Sequence, residues 1–177
     1  MPTLPEPWPS FLAELDNILS RPAELHCLGG LVLAIAYGIP RPTGDLDYFK
    51  IEPFELLQEV EKLAGRESKL ARKYNVYVQF AGGVTDLPEH HDERLVDLNL
   101  ELRNVSLKVL EPYDLALSKL TRNNPKDRED VKYLAAKLRL SYKGLVERFE
   151  AEMKPWLPNV DRHQRTLTAV WQEYFLE

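Results

Sequence analysis

The chain has 177 residues, 44% of them hydrophobic, with 23 basic and 28 acidic residues for a net charge of −5 at pH 7. The apolar share is enough to build a core and excludes wholesale disorder, and the negative sum excludes a protein whose main task is to coat nucleic acid. The single cysteine, Cys27, excludes an internal disulfide framework and a cysteine-built zinc site.

Taken in chain order, Trp8 to Leu19 reads as a helix, with Phe11, Leu12, Leu15, Ile18 and Leu19 at helical spacing. The preceding MPTLPEPWPS has no basic region followed by an apolar one, so no secretory signal is expected. Glu24 to Leu28 is a short strand ending at Gly29-Gly30, and Leu31 to Tyr37 resumes as a helix broken by Gly38 and Pro40. That run is the longest apolar one and far too short to span a bilayer, so a cytoplasmic protein without a membrane partner is expected.

Asp45 to Ile51 is a strand, Pro53 to Ala64 an amphipathic helix, and Tyr74 to Phe80 alternates as a strand up to Gly82-Gly83. Leu95 to Leu102 and Val105 to Leu110 read as two strands joined at Arg103-Asn104. Pro112 opens a helix to about Arg122, and Asn124-Pro125 caps and opens another that runs to about Leu138. Ser141 to Met153 and Val160 to Phe175 complete a helical end. The order implies an α+β fold: a small mixed sheet flanked by helices (residues 1–110) and a helical C-terminal portion packed on it (111–177).

Charge is uneven along this order. Between Lys119 and Lys143 stand eight basic residues and three acids, a stretch of +5 that leaves −10 for the rest. Such a patch suits a bound phosphate or a transient nucleic-acid partner; a solvated lysine-rich helix face is the plain alternative.

The chemistry concentrates in GGLVLAIAYGIPRPTGDLD, Gly29 to Asp47. Glycines between a strand and a helix let backbone amides approach a phosphate, helped by the helix dipole. Arg41, Thr43, Asp45 and Asp47 are spaced by twos, so an extended backbone puts all four on one face. Two carboxylates there repel unless a cation lies between them, and magnesium takes one or two carboxylates together with substrate phosphates and water. A surface strand with solvated acids is the alternative for a bare D-x-D.

This string resembles the first motif of the nucleotidyltransferase superfamily that includes DNA polymerase beta. PYDLALSKLTRNNPKDREDVKYLA, Pro112 to Ala135, is similar to the distal motifs of the AbiEii/MenT-like branch found among bacterial toxins, and of related uncharacterised nucleotidyltransferases. The resemblance implies Mg²⁺ (or Mn²⁺) on Asp45 and Asp47, and nucleotide contacts from Gly29, Gly30, Arg41 and Thr43. It also implies Lys119 on nucleotide phosphate, Asp127 and Asp130 completing the polar site, and supporting roles for Arg122 and Asn123. A third carboxylate on a later strand belongs to the pattern, with Asp97 the first choice and Asp86 and Glu101 behind it.

On a helical wheel Lys119 flanks the apolar face of Tyr113, Ala116, Leu117 and Leu120, so its stem can be buried and its ammonium projected. Asp127 falls in line with Val131, Leu134 and Leu138 and needs a partner, most simply Lys119, Arg122 or a metal-bound water; an acid welcomed by the helix dipole is the competing account. His90-His91-Asp92 reads as a solvated loop, and His26 as a core histidine.

The expected reaction is transfer of a nucleoside monophosphate from a nucleoside triphosphate to an acceptor. The toxin-like resemblance suggests tRNA as one acceptor and a cognate antitoxin as partner. The rivals are a non-catalytic binding protein of the same fold and a D-x-D glycosyltransferase; a haloacid-type phosphatase would want a hydroxyl where Phe49 stands.

Overall fold

The computed structural model describes residues 4–39 and 42–177, which fall into two compact units. The first comprises residues 1–84 and 95–109; the second comprises residues 85–94 and 110–177. The architecture is mixed α+β, with a five-stranded sheet, flanking helices and C-terminal helices.

The first unit runs α1 (Trp8–Ile18), β1 (Ala23–Leu28), α2 (Gly29–Tyr37), β2 (Asp45–Glu52), α3 (Leu57–Ala64), α4 (Lys69–Tyr74) and β3 (Tyr77–Phe80), then β4 (Val96–Asp97) and β5 (Val105–Val109). The strands lie in the order β3-β2-β1-β5-β4. β1 is antiparallel to β2 and parallel to β5; β3 runs parallel to β2, and β4 antiparallel to β5.

Alternation divides the sheet into two faces. Leu25, Cys27, Leu46, Tyr48, Val78 and Leu107 are buried on one face, on the side where α1, α3 and α4 supply Phe11, Leu12, Leu15, Val60 and Leu70. The other face carries Glu24, His26, Asp45, Asp47, Ser106 and Lys108, which pair across the strands in register.

One irregularity shapes that polar face. Between His26 and Cys27 the β1–β2 register shifts from Lys50 to Tyr48, skipping Phe49. This bulge lets Lys50 and Asp47 share a face although their numbers differ by an odd count.

Several elements depart from their expected bounds. α2 already begins at Gly29. Tyr74, expected to open a strand, is instead the last residue of α4, which is capped by Ser68 and closed by Asn75 at φ 57°, so β3 starts only at Tyr77. The strand expected over 95–102 shrinks to Val96–Asp97 because Asp97 turns back to accept the Asn99 amide (2.6 Å), with Asn99 at φ 48°.

The second unit holds α5 (Pro112–Leu117), α6 (Pro125–Leu138), α7 (Tyr142–Glu152) and α8 (Val160–Thr166). α5 stops well short of Arg122, and the last expected helix gives way after Thr166 to a π turn and a 3-10 turn. Its buried polar centre is Asp114, which accepts from Arg94 (3.0 and 3.1 Å) and Arg148 (2.6 Å). Glu152 binds Arg94 (2.7 Å) and the His90 amide (3.0 Å), tying the loop over residues 85–94 to α7. His90 and His91 therefore belong to a loop with fixed backbone contacts, and His91 Nδ1 lies 2.7 Å from the Pro88 carbonyl.

In the first unit the turn before β5 is held by Asp16, which accepts the amides of Arg103 (3.2 Å), Asn104 (2.6 Å) and Val105 (2.8 Å). Burial works to raise its pKa, and the three amides outweigh burial and hold the carboxyl below its ordinary value. A depressed carboxyl pKa adds stability above the unfolded-state value, and that stability is lost as pH falls through the folded-state value. Asp16→Ala should therefore cost about 2 kcal/mol at pH 7 and flatten the acid limb of stability below about pH 4. Denaturant melts from pH 7 to pH 2 check both; an unchanged acid limb would contradict the assigned role.

Candidate functional site

In the first unit Asp45 and Asp47 sit on the polar face of β2, each half-buried, between the buried Leu46 and Tyr48. Two residues of strand separate their Cα atoms by about 7 Å. Asp47 lies opposite Leu28 of β1 and Gln79 of β3, so it stands beside the point where β1 passes into α2.

That passage depends on Gly29, whose φ is +88°. A Cβ built on Gly29 would lie 2.4 Å from Asp47 Oδ2, so the carboxylate occupies the space a side chain would need. Gly30 differs: a Cβ there would meet only Thr43, at 3.7 Å. The Thr43 hydroxyl donates to Asp45 Oδ1 at 2.6 Å and fixes that carboxylate. The first turn of α2 has no side-chain cap, and its N-cap is Leu28. Beneath the pair, burial first and the Asp47 charge second push the Cys27 thiol pKa far up, leaving it inert.

Hard carboxylate oxygens, a hydroxyl that orients one of them and backbone amides at a helix start together suit a divalent cation with a phosphate. Arg41 lies outside the described residues. Asp97 shares the polar face, opposite Lys108, but β1 and β5 stand between its strand and β2. At roughly 4.8 Å per strand that is about 14 Å from the acidic pair, too far for one ion to join them. The position beside Asp47 on the neighbouring edge strand is Gln79. Glu101 is exposed beyond β4, and Asp86 belongs to the second unit.

Sequence reasoning passed over another group on this face. Glu24, His26 and Glu52 bring ligand-capable atoms within 4.8 Å of one another. His26, only 4% exposed, sits with Nε2 2.7 Å from Glu24 Oε1, while its Nδ1 is buried without a hydrogen-bond partner. Lys108 pairs with Glu24 (3.0 Å) and Lys50 with Glu52, so both carboxylates are neutralised by ammonium groups. The antiparallel register, Glu24 opposite Glu52, is the long-range fact that creates this cluster, and no local motif carries it.

In the second unit Lys119 is 4% exposed. Its ammonium donates to Asp130 Oδ2 at 3.0 Å and lies 3.5 Å from Asp127 Oδ1, enclosed with these acids instead of projecting. Asp127, 0% exposed, also accepts from Arg122 Nε (2.7 Å) and Nη2 (2.6 Å). Burial raises its pKa, but Arg122 and Lys119 prevail and keep it low. Lys119 and Arg122 are the partners that its place on an apolar stripe demanded.

Asp127 has a further duty: it is the third residue of a capping box. Its amide donates to Asn124 Oδ1 (2.8 Å), and its carboxylate accepts the Asn124 amide (3.2 Å). The N-x-x-D spacing carried that signal in the sequence. Asn123, at φ 42°, accepts from the indole of the buried Trp171 (3.1 Å) and anchors the packing of the chain's end.

A family model described as nucleotidyltransferase of unknown function (DUF6036) matches residues 10–176. No curated protein and no solved structure matches the chain.

Two substitutions separate the glycines. Gly29→Ala meets both a left-handed backbone and Asp47, and should cost at least ~2 kcal/mol of stability. Gly30→Ala meets neither and should stay within ~0.5 kcal/mol or stabilise. Thermal melts of the pair test the close approach; equal losses would refute it.

Proposed function

The chain belongs to the nucleotidyltransferase family DUF6036, and on that premise we propose that its first unit moves a nucleoside monophosphate from a nucleoside triphosphate to an acceptor hydroxyl. The observation that carries this reading is the placement of Asp45 and Asp47 on one strand face, with Asp47 packed against Gly29 at the start of α2. Asp45 and Asp47 would hold a divalent ion, Mg²⁺ or Mn²⁺, since both offer hard oxygen donors from a half-buried position. When bound, such an ion neutralises charge on the triphosphate and on the leaving pyrophosphate.

The protein's own contribution is positional. Thr43 holds the Asp45 carboxylate in one orientation. Gly29 and Gly30 expose the uncapped first turn of α2, where the helix dipole favours phosphate charge. The acceptor oxygen bonds to the α-phosphorus, the bridging bond to the β-phosphate breaks, pyrophosphate leaves, and the hydroxyl proton passes to water. Asp97 enters no step. Lys119 acts as a positioning residue that satisfies Asp127 and Asp130, since its enclosed ammonium has no exposed face to offer a phosphate.

The resemblance to toxin enzymes makes tRNA the first acceptor to test and a cognate antitoxin the partner to seek. Among the rivals, the non-catalytic binder shares every geometric feature, and only turnover separates it. A glycosyltransferase would instead move the sugar of a sugar nucleotide to an acceptor and release the nucleotide, and slow sugar-nucleotide hydrolysis is the assay that reveals it.

Incubation with each labelled nucleoside triphosphate, Mg²⁺ and total tRNA should give label transfer from at least one of the four. The Asp45→Ala/Asp47→Ala protein should lose at least ~100-fold in rate, the scale expected when transition-state charge stabilisation goes. Transfer that survives the double substitution would sink the assignment.

A further inference from the structure

Helix α6 has an inner and an outer half of opposite electrostatic character. Its inner half turns Asp127 and Asp130, 0% and 2% exposed, towards Lys119. Burying these acids removes them from the surface, and the outer half is left dominated by cations.

At 100° per residue the outer half forms an arc with two rails. Lys126 and Lys137 lie along one edge, about 16 Å apart at 1.5 Å per residue. Arg128 and Lys132 lie along the other, and Arg139 follows at the C-cap. Between the rails are Tyr133 (45% exposed), Ala136 and Glu129, the one acid on this surface. Lys126, Arg128, Lys137 and Arg139 have no ion-pair partner among the described residues. Lys132 instead lies over the Tyr174 ring, 5.8 Å from its centre. On a chain of net charge −5 this concentration is local.

Cations left without carboxylates attract a polyanion and release its counterions. An exposed aromatic ring between them offers a surface on which unpaired bases stack. A duplex hides its bases and leaves Tyr133 idle; a single strand engages the rails through its phosphates and the ring through a base. We infer that the outer half of α6 is a docking surface for a single strand of nucleic acid. This deepens the transfer reading by naming the acceptor class, and rests on that reading for the acceptor role alone. Strand binding itself needs neither nucleotide nor metal.

The test is fluorescence anisotropy with a labelled, unstructured RNA 12-mer, the same sequence as single-stranded DNA, and a DNA duplex, in EDTA from 50 to 200 mM KCl. The full chain should bind both single strands more tightly than the duplex, with affinity falling steeply as salt rises. Lys126→Glu/Arg128→Glu/Lys137→Glu should weaken RNA binding at least tenfold and reduce the salt slope by about 2, as expected for three lost phosphate contacts at ~0.7 each. Tyr133→Ala should weaken it severalfold with the slope unchanged. Circular dichroism checks folding, and the Gln versions of the three cations replace any variant that unfolds.

Absence of RNA binding at 100 mM KCl, indifference to the triple substitution, or equally tight binding of the duplex would overturn the inference. Asp45→Ala/Asp47→Ala should retain RNA affinity within twofold. An unaltered chain that binds RNA yet transfers no label would therefore count against the transfer reading alone.

Discussion

A carboxylate stands where a side chain at position 29 would have to go. The Asp47 oxygen lies inside the volume of a Cβ on Gly29, and Gly29 itself has a backbone angle that L side chains rarely adopt. Two constraints thus meet at one residue: the chain must turn from β1 into α2, and an acid of β2 must approach its backbone. Everything else at the acidic pair follows from them. Leu28 and Asp47 face each other across the β1–β2 ladder, Thr43 reaches Asp45 from the lead-in to β2, and the first turn of α2 remains uncapped by any side chain.

The two units handle buried charge differently. In the second, acids are matched by cations inside the protein: Asp114 by two arginines, Asp127 by Arg122 and Lys119, Asp130 by Lys119. Removing one partner from such a group leaves a charge buried and uncompensated, so these pairs fix conformation more surely than they add stability. On the polar sheet face of the first unit the acids are half-buried or exposed, and the Glu24–His26–Glu52 group is balanced by the lysines at its rim. Asp45 is oriented by a neutral hydroxyl, a contact that fixes direction without cancelling charge.

How much of this was legible in the sequence depended on the range of the interaction involved. The Asn124-Pro125 start of α6 and the alternation through Asp45 and Asp47 are local signals, and both elements form at those residues. The demand of Asp127 for a cation was legible too, because an acid on an apolar stripe has no other stable outcome. The same four residues also encode the capping box, a local signal that coincides with the demand for a cation. Residues 69–74 offered only Leu70 and Ala71 as buried positions in six residues, too few to announce a helix. LVDLNL alternates like a strand, yet the Asp97–Asn99 turn ends it, since one side-chain contact outweighs a weak pattern at a sheet edge. The Glu24–His26–Glu52 group and the distance of Asp97 from the acidic pair were not legible, because both depend on strand order.

The skipped residue at Phe49 has a consequence for how relatives of this chain can vary. Upstream of it, even-numbered positions of β2 point into the core; downstream, Ile51 does. The two ends of the strand are therefore out of phase by one residue, and the bulge is what reconciles them. Loss of the codon for Phe49 would remove the bulge and restore plain alternation, leaving the D-x-D string untouched and Leu46, Tyr48 and Ile51 all on the core side. Length between the acids and the end of β2 can for that reason change by the one bulged residue, while the inward placement of Ile51 stays fixed.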